Sequence, residues 1–437
     1  MDTNDFIGSF AQENVAFATQ VVRTSAVGDN FWKVMVFVEN DRFVDATAAD
    51  WADVPGTTIG ARALAVSADD YAKYTSGLLR SWLYDLFCNG FTGDCILVAC
   101  GTIPVTTSYD VVTPAGNENP KALGWYERTG SGPDYVYTLS DDETVDAEKT
   151  YCTRTDTPDA TAFIEGMEAT YDIMKAYAYH KTACAGTDSA VLPAVAVALA
   201  NKCKEDKNLL SSCPLFPFTT ASPETPSSDP LYSALNSAGV DAFMSAHQDT
   251  TRNGALFSLG LALAVLNGSG TSVGNSMDMI SSNMITCSGP NGLQLSKGIR
   301  DNLANINIQT FKPVGNNSGD VAAYGAKTLL GDVYQANWII AYVTYMVKVR
   351  VAELITSINF LKNEDNYRRI VAVLASYVGK FGPNGSQRLA SLNITAPAFG
   401  ELPEAAGDQI IVPNAWSATY VDQVREVQIT GTLYIGV

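Results

Sequence analysis

Histidine is nearly absent from this chain: His180 and His247 are the only two in 437 residues. Neither lies in a ligand-spaced cluster, which disfavours a zinc centre. Cysteines stand at 88, 95, 100, 152, 184, 203, 213 and 287 without one CxxC pair, so reduced structural thiols are expected rather than a redox or metal motif. Positive charge is scarce, with 28 Lys and Arg against 46 Asp and Glu and a formal charge of −18. Such a field repels phosphate backbones and anionic lipid, so neither a nucleic acid nor a membrane surface is expected as a partner. Apolar runs are short. Ala255–Leu266 and Trp338–Val347 both fall below the roughly 20 residues that a spanning helix needs. The opening MDTNDFIGSF has no basic stretch followed by an apolar one, so no secretory signal is expected.

Catalytic templates are missing as well. There is no GxxxxGK[ST], HExxH or GxSxG. The glycines of Gly268–Gly274 follow a helical pattern rather than a strand, outside the dinucleotide-binding context, and read as a loop. His180 stands four residues before Cys184, a helical spacing that would suit a Cys/His pair. No orienting acid is evident, and a structural role is expected for both. His247, in SAHQDTTRNG, reads as a turn residue. The sequence therefore points away from an enzyme and calls for no cofactor and no metal.

What is present is globular. Apolar residues make up 46% of the chain, enough for sizeable cores, and the length suggests two to four domains. Thr19–Thr24 and Phe31–Glu39 read as strands, and Ser67–Phe87 as a helix capped by Ser67. Cys95–Ala99 (CILVA) is a continuous apolar run, the pattern of a strand covered on both faces. Residues 102–157 are rich in Thr, Ser, Gly, Pro and Asp, with short β-like pieces such as Tyr135–Leu139. Their acidic group Asp141, Asp142, Glu143, Asp146 and Glu148 reads as a solvated loop face, the alternative being a cation or partner site. Helical patterns return over 158–210, and Pro217–Pro230 reads as a linker.

Beyond the linker, Leu231–Ala238, Asn253–Leu266, Gln294–Ala304, Val333–Phe360 and Glu364–Phe381 have helical patterns. Val240–Ser245 and Asn307–Pro313 are extended, and 388–420 reads as irregular. In Val333–Phe360 the series Tyr334, Trp338, Tyr342 and Tyr345 suits a core helix. The following helix carries Arg368 and Arg369 on a charged side, either solvated or a contact face for a partner. At the end, Val427, Ile429, Leu433, Ile435 and Val437 alternate with polar residues. That is the period of a strand, free to pair in its own sheet or to extend a neighbour's.

The segment from Asn305 to Leu354 resembles the C-terminal region of contractile phage tail sheath proteins. An Asn-containing extended stretch leads through a short loop and a strand into Tyr324-Gly325-Ala326-Lys327-Thr328-Leu329, and a long helix follows. Lys327 stands where the family usually has Arg, and the alternating strand Val427–Val437 is similar to the family's terminal strand. The resemblance implies a multidomain α/β (mixed α+β) fold, with a sheath-like core built from N- and C-terminal parts, inserted outer domains and extended terminal arms. On this chain that gives an arm at 1–25, core at 26–101, a β-rich outer insertion at 102–157, a second insertion at 158–285 containing the linker 217–230, core again at 286–426, and an exchanged strand at 427–437.

The function implied is that of a sheath subunit. Copies of the chain stack as rings around a tail tube protein, between baseplate and tail terminator proteins, and contract to drive the tube through an envelope. The implied location is a virion tail assembled in the host cytoplasm, the contraction needs no nucleotide, and Arg368 and Arg369 are the candidates for facing the tube. Another viral particle protein, such as a capsid or tube subunit, and an α/β enzyme with an unrecognised site are the alternatives.

Overall fold

The computed structural model describes residues 32–39, 51–57, 60–73, 77–175, 177–178, 180–184, 191–205, 215–218, 225–246, 254–266, 281–282, 296–314, 317–325, 327–331, 333–357, 361–403, 410, 412 and 415–420. In chain order the strands are β1 Val34–Val38, β2 Ala52–Asp53, β3 Arg62–Val66, β4 Cys95–Ala99, β5 Val105–Val111, β6 Tyr126–Thr129, β7 Val136–Leu139, β8 Thr150–Pro158, β9 His180–Cys184, β10 Leu215–Phe218, β11 Phe243–Ala246, β12 Ser281–Ser282, β13 Ile308–Val314, β14 Asn317–Tyr324, β15 Leu389–Ile394 and β16 Trp416–Tyr420. The helices are α1 Gly77–Phe87, α2 Thr161–Met174, α3 Leu192–Glu205, α4 Pro230–Ala238, α5 Gly254–Leu266, α6 Lys297–Asn305, α7 Tyr334–Ser357 and α8 Glu364–Gly379. The fold is mixed α+β with several sheets.

The central sheet has the order β2-β3-β4-β1-β9. β1 lies between β4 and β9 and is parallel to both, with Val34 level with Cys95 and His180. All five residues of β1 and all five of β4 are buried, because helices cover both faces. On one face Val34, Val36, Leu97 and Ala99 pack against Leu83 and Leu86 of α1, Leu259 and Leu263 of α5, Trp338 and Val347 of α7, and Val378 of α8. On the other, Met35, Phe37, Ile96 and Val98 meet Phe163 and Met167 of α2 and Val195 and Leu199 of α3. A parallel sheet buried in this way reads in sequence as an unbroken apolar run, which is what CILVA and VMVFV are.

A second five-stranded sheet, β10-β11-β13-β14-β12, continues the layer. A third, β5-β8-β6-β7, is antiparallel throughout and lies in the Thr-rich 102–157 region. β15 and β16 form a separate antiparallel pair.

Several expectations change. Ser67–Phe87 is not one helix. The Ser67 hydroxyl accepts from the Asp70 amide at 3.1 Å and closes a turn, Tyr71–Lys73 is 3₁₀, and the α-helix starts only at Gly77, whose φ of +76° breaks the backbone path. His180 and Cys184 lie on β9, not on a helix, so their spacing brings no two side chains together on one helical face. The expected linker 217–230 is partly ordered. Leu215–Phe218 is an edge strand, the one place in a sheet where Pro217 costs no ladder bond, and Asp229 caps α4 by accepting from the amides of Leu231 and Tyr232. The 388–420 stretch, read as irregular, carries β15 and β16. Residues 158–285, expected as an insertion, supply the edge strand β9 to the central sheet and α2, α3 and α5 to its two faces. Their strands are too short and too polar, as in HKTAC, to announce themselves by period.

Candidate assembly surfaces

The Tyr324–Leu329 motif closes the second sheet onto α7. Tyr324 ends β14 opposite Thr310. Gly325 follows with φ +86°, a left-handed turn that a side chain would strain. Lys327 bridges antiparallel to Val333 at the foot of α7, and Thr328 is fully buried. Ala326 lies outside the described residues.

Three further residues lock this loop. The Leu329 amide donates to the Ala242 carbonyl at 2.8 Å, beside β11. The Asn307 side-chain amide donates to the Leu329 carbonyl at 3.2 Å, while the Asn307 backbone sits at φ +63°. The Leu330 amide donates to Asp241 Oδ1 at 3.3 Å. Asn tolerates the left-handed conformation because its short side chain bonds locally, so one residue both turns the chain from α6 into β13 and clasps the motif loop. Asn307 and Asp241 escaped assignment in the sequence. The available signal was an Asn immediately before an extended run. The described part of the motif thus acts as a backbone clasp.

The candidate arginines lie on α8, which begins with Asn363 accepting from the Asn366 amide. Arg368 pairs with Glu364 at 2.7 Å on an exposed surface, a contact of small energetic weight. Arg369 is exposed, and among the described residues it has no ion-pair partner. Near the other end of the helix, Arg350 of α7 donates to the Tyr377 hydroxyl at 3.0 Å and to Glu353 at 2.6 Å. The Lys380 ammonium lies 4.4 Å from the centre of the Tyr377 ring. Partial burial, and then the Arg350 charge, hold Lys380 below the usual lysine range. Residues 348–388 carry seven basic side chains against three acidic ones, the reverse of the chain's overall balance.

In the β5-β8-β6-β7 sheet the acidic group is organised around a lysine. Lys149 Nζ lies 2.8 Å from Asp142 and 3.0 Å from Glu127, and the Tyr151 hydroxyl donates to Asp142 at 2.6 Å. The lysine and tyrosine bonds hold the Asp142 carboxyl below the ordinary range. Glu127, Asp141 and Asp142 bring their oxygens within 4.8 Å of one another, and the Lys149 ammonium supplies the positive charge there. The terminal residues Val427, Ile429, Leu433, Ile435 and Val437, the Thr19–Thr24 stretch, His247 and Gly268–Gly274 lie outside the described residues. No helix among the described residues is long and apolar enough to cross a membrane.

No family model matches this sequence, and no curated protein does. Solved structures do. One is a chain from the anti-feeding prophage (AFP) baseplate, with a TM-score of 0.51 and 11% identity over 94% of this chain and 95% of that one. Another is a chain from the contracted-state sheath complex of an extracellular contractile injection system, PVC, with a TM-score of 0.50 and 12% identity over 92% of this chain and 91% of that one. The fold is therefore one found in particles of the contractile injection type, shared over nearly the whole length.

Proposed function

We propose that this protein is the structural subunit of a contractile sheath, polymerising around an inner tube and shortening to drive that tube through an envelope. The observation that carries this is the end-to-end likeness of fold to a chain of a contracted sheath complex, at 92% and 91% coverage, together with the motif Tyr324–Thr328 that suggested the same family independently. The role is structural rather than enzymatic, and the working partners are further copies of the chain, the tube protein, and the baseplate and terminator proteins at the two ends. Such particles belong to a virion tail or to a tail-like machine built in the producing cell.

In this proposal the core is made by both ends of the chain, 26–101 with 286–426, together with β9, α2, α3 and α5 of 158–285, and residues 102–157 form an outer domain. The strand Val427–Val437 crosses to a neighbour. Its alternating apolar residues fix register, since a one-residue slip would turn Ile429, Leu433 and Ile435 to the wrong face. The basic band on α7 and α8 faces the tube, with Arg368 and Arg369 meeting carboxylates and the contact weakening as salt rises.

Deleting residues 427–437 is expected to leave a folded chain that no longer forms tubes, measured by circular dichroism and sedimentation. Normal polymerisation of the truncated chain would contradict the strand exchange. Replacing Arg368 and Arg369 by Glu is expected to impair assembly on tubes more than tube-free polymerisation. Equal damage to both would contradict the tube-facing assignment.

A further inference from the structure

We propose that the outer sheet runs on from one copy of this chain to the next, β5 of one molecule pairing antiparallel with β7 of its neighbour. The proposal rests on the homopolymeric role above but uses a different surface from the terminal strand and from α8.

β5 and β7 are the two edges of this sheet. The Val112 amide donates to the Tyr151 carbonyl, and the Asp159 amide donates to the Pro104 carbonyl. Those two bonds fix the parity of β5. Its even-numbered residues turn their backbone groups toward β8, so the amides and carbonyls of Val105, Thr107, Tyr109 and Val111 point outward. The Ser140 amide bonds to the Trp125 carbonyl, which leaves Tyr137 and Leu139 pointing outward from β7 in the same way.

Natural edge strands are usually kept short, bulged, or guarded by Lys or Pro. β5 has seven residues in unbroken register, without Lys, Arg or Pro, and with the single charge Asp110. Both edges also carry bare apolar side chains. Val105 and Val111 are each 56% exposed, Val136 59% and Leu139 58%, whereas the inner strands β6 and β8 contribute none of the large exposed hydrophobics.

Two features identify the occupant as a second copy in this arrangement. Three antiparallel pairings across four strands make β5 and β7 run in opposite directions. Tyr109 of β5 and Tyr137 of β7 stack 3.7 Å apart across one face, so the sheet curls, and copies related by a rotation meet edge to edge as an antiparallel pair that continues the alternation. Charge agrees. A two-fold β5–β5 seam would bring two Asp110 side chains to one junction. A β5–β7 seam sets one Asp110 against the uncharged VYTL strand, whose neighbour β6 carries Arg128. A heterologous contact of this kind generates rings or helices rather than closed dimers.

The test is amide hydrogen exchange on the full chain, dispersed and assembled. The amides of Val105, Thr107, Tyr109 and Val111 are expected to slow at least tenfold on assembly, with Ser108 unchanged. Thr107→Pro and Leu139→Pro each remove an outward donor and keep the backbone ladder to β8 or β6, Thr107→Pro giving up only the exposed bond from its hydroxyl to Asp156. Each variant is expected to lose the new protection, and an equal mixture to regain it where the intact β5 of one meets the intact β7 of the other. Protection of β5 in pure Leu139→Pro would mean a two-fold seam and overturn the proposal. Assembled chains whose β5 amides exchange as fast as in the monomer would overturn it while leaving the sheath role standing. A chain that stays monomeric under all conditions would contradict both.

Discussion

Asn307 carries two tasks at once. Its left-handed backbone turns the chain into β13, and its side chain holds the Leu329 carbonyl at 3.2 Å. Asn307→Ala gives up the bond and places a Cβ in a conformation that L-residues avoid, at a cost of about 2 kcal/mol. Asn307→Gly keeps the turn and loses only the bond, so urea unfolding should rank it between wild type and Ala. Equal midpoints for Ala and wild type would show that the clasp contributes nothing. His180 gives a second residue-scale expectation. Burial, with the neighbouring Lys181 charge, pushes its pKa down to about 3. The unfolded chain takes up a proton near 6.5 that the folded chain refuses, so this stability is complete above that value and is lost as pH falls toward 3. Unfolding midpoints should drop between pH 7.5 and 5 in the wild type, and His180→Gln should flatten that drop. An identical slope in the variant would assign the effect to other groups. Neither residue announced its role in the sequence. A left-handed Asn and a buried strand His are set by what packs around them, and the nearby Cys184 suggested a helical pair that the backbone does not form.

At the scale of elements, apolar pattern decided what was legible. Runs that are buried all round, such as CILVA, VMVFV and the α5 sequence GALFSLGLALAVL, stand out without context because nothing in them faces water. The Trp338 and Tyr342 series behaves as expected of a core helix, the two rings stacking 5.2 Å apart with Trp32 and Phe381 against them. Short, half-polar strands such as β9 and β15 did not stand out, since they offer neither an unbroken apolar run nor a clean alternation. The α1–α5 crossing depends on a residue that no period reveals. A Cβ at Gly260 would lie 1.9 Å from the Leu86 carbonyl oxygen, so the helices approach through bare backbone. Gly260→Ala is expected to cost about 1–3 kcal/mol by forcing them apart. An unchanged thermal midpoint would show that the crossing relaxes freely.

For the whole molecule, the mixed α+β class was legible in the sequence, while the surfaces proposed to join one copy to another were only partly so. Pattern located the arginines of α8 but not the Arg350–Tyr377–Lys380 cluster beside them, because α7 and α8 meet only in three dimensions. The open β5 and β7 edges likewise follow from strand order rather than from composition. A chain with a formal charge of −18 must overcome its own repulsion to polymerise, so shielding by salt is expected to promote tube-free assembly. The central claim is that this chain builds a sheath, and electron microscopy of the purified protein tests it most directly. The account predicts hollow tubes of stacked rings with a bore wide enough for an inner tube. Discrete, uniform particles that never polymerise, whatever the concentration or salt, would contradict it.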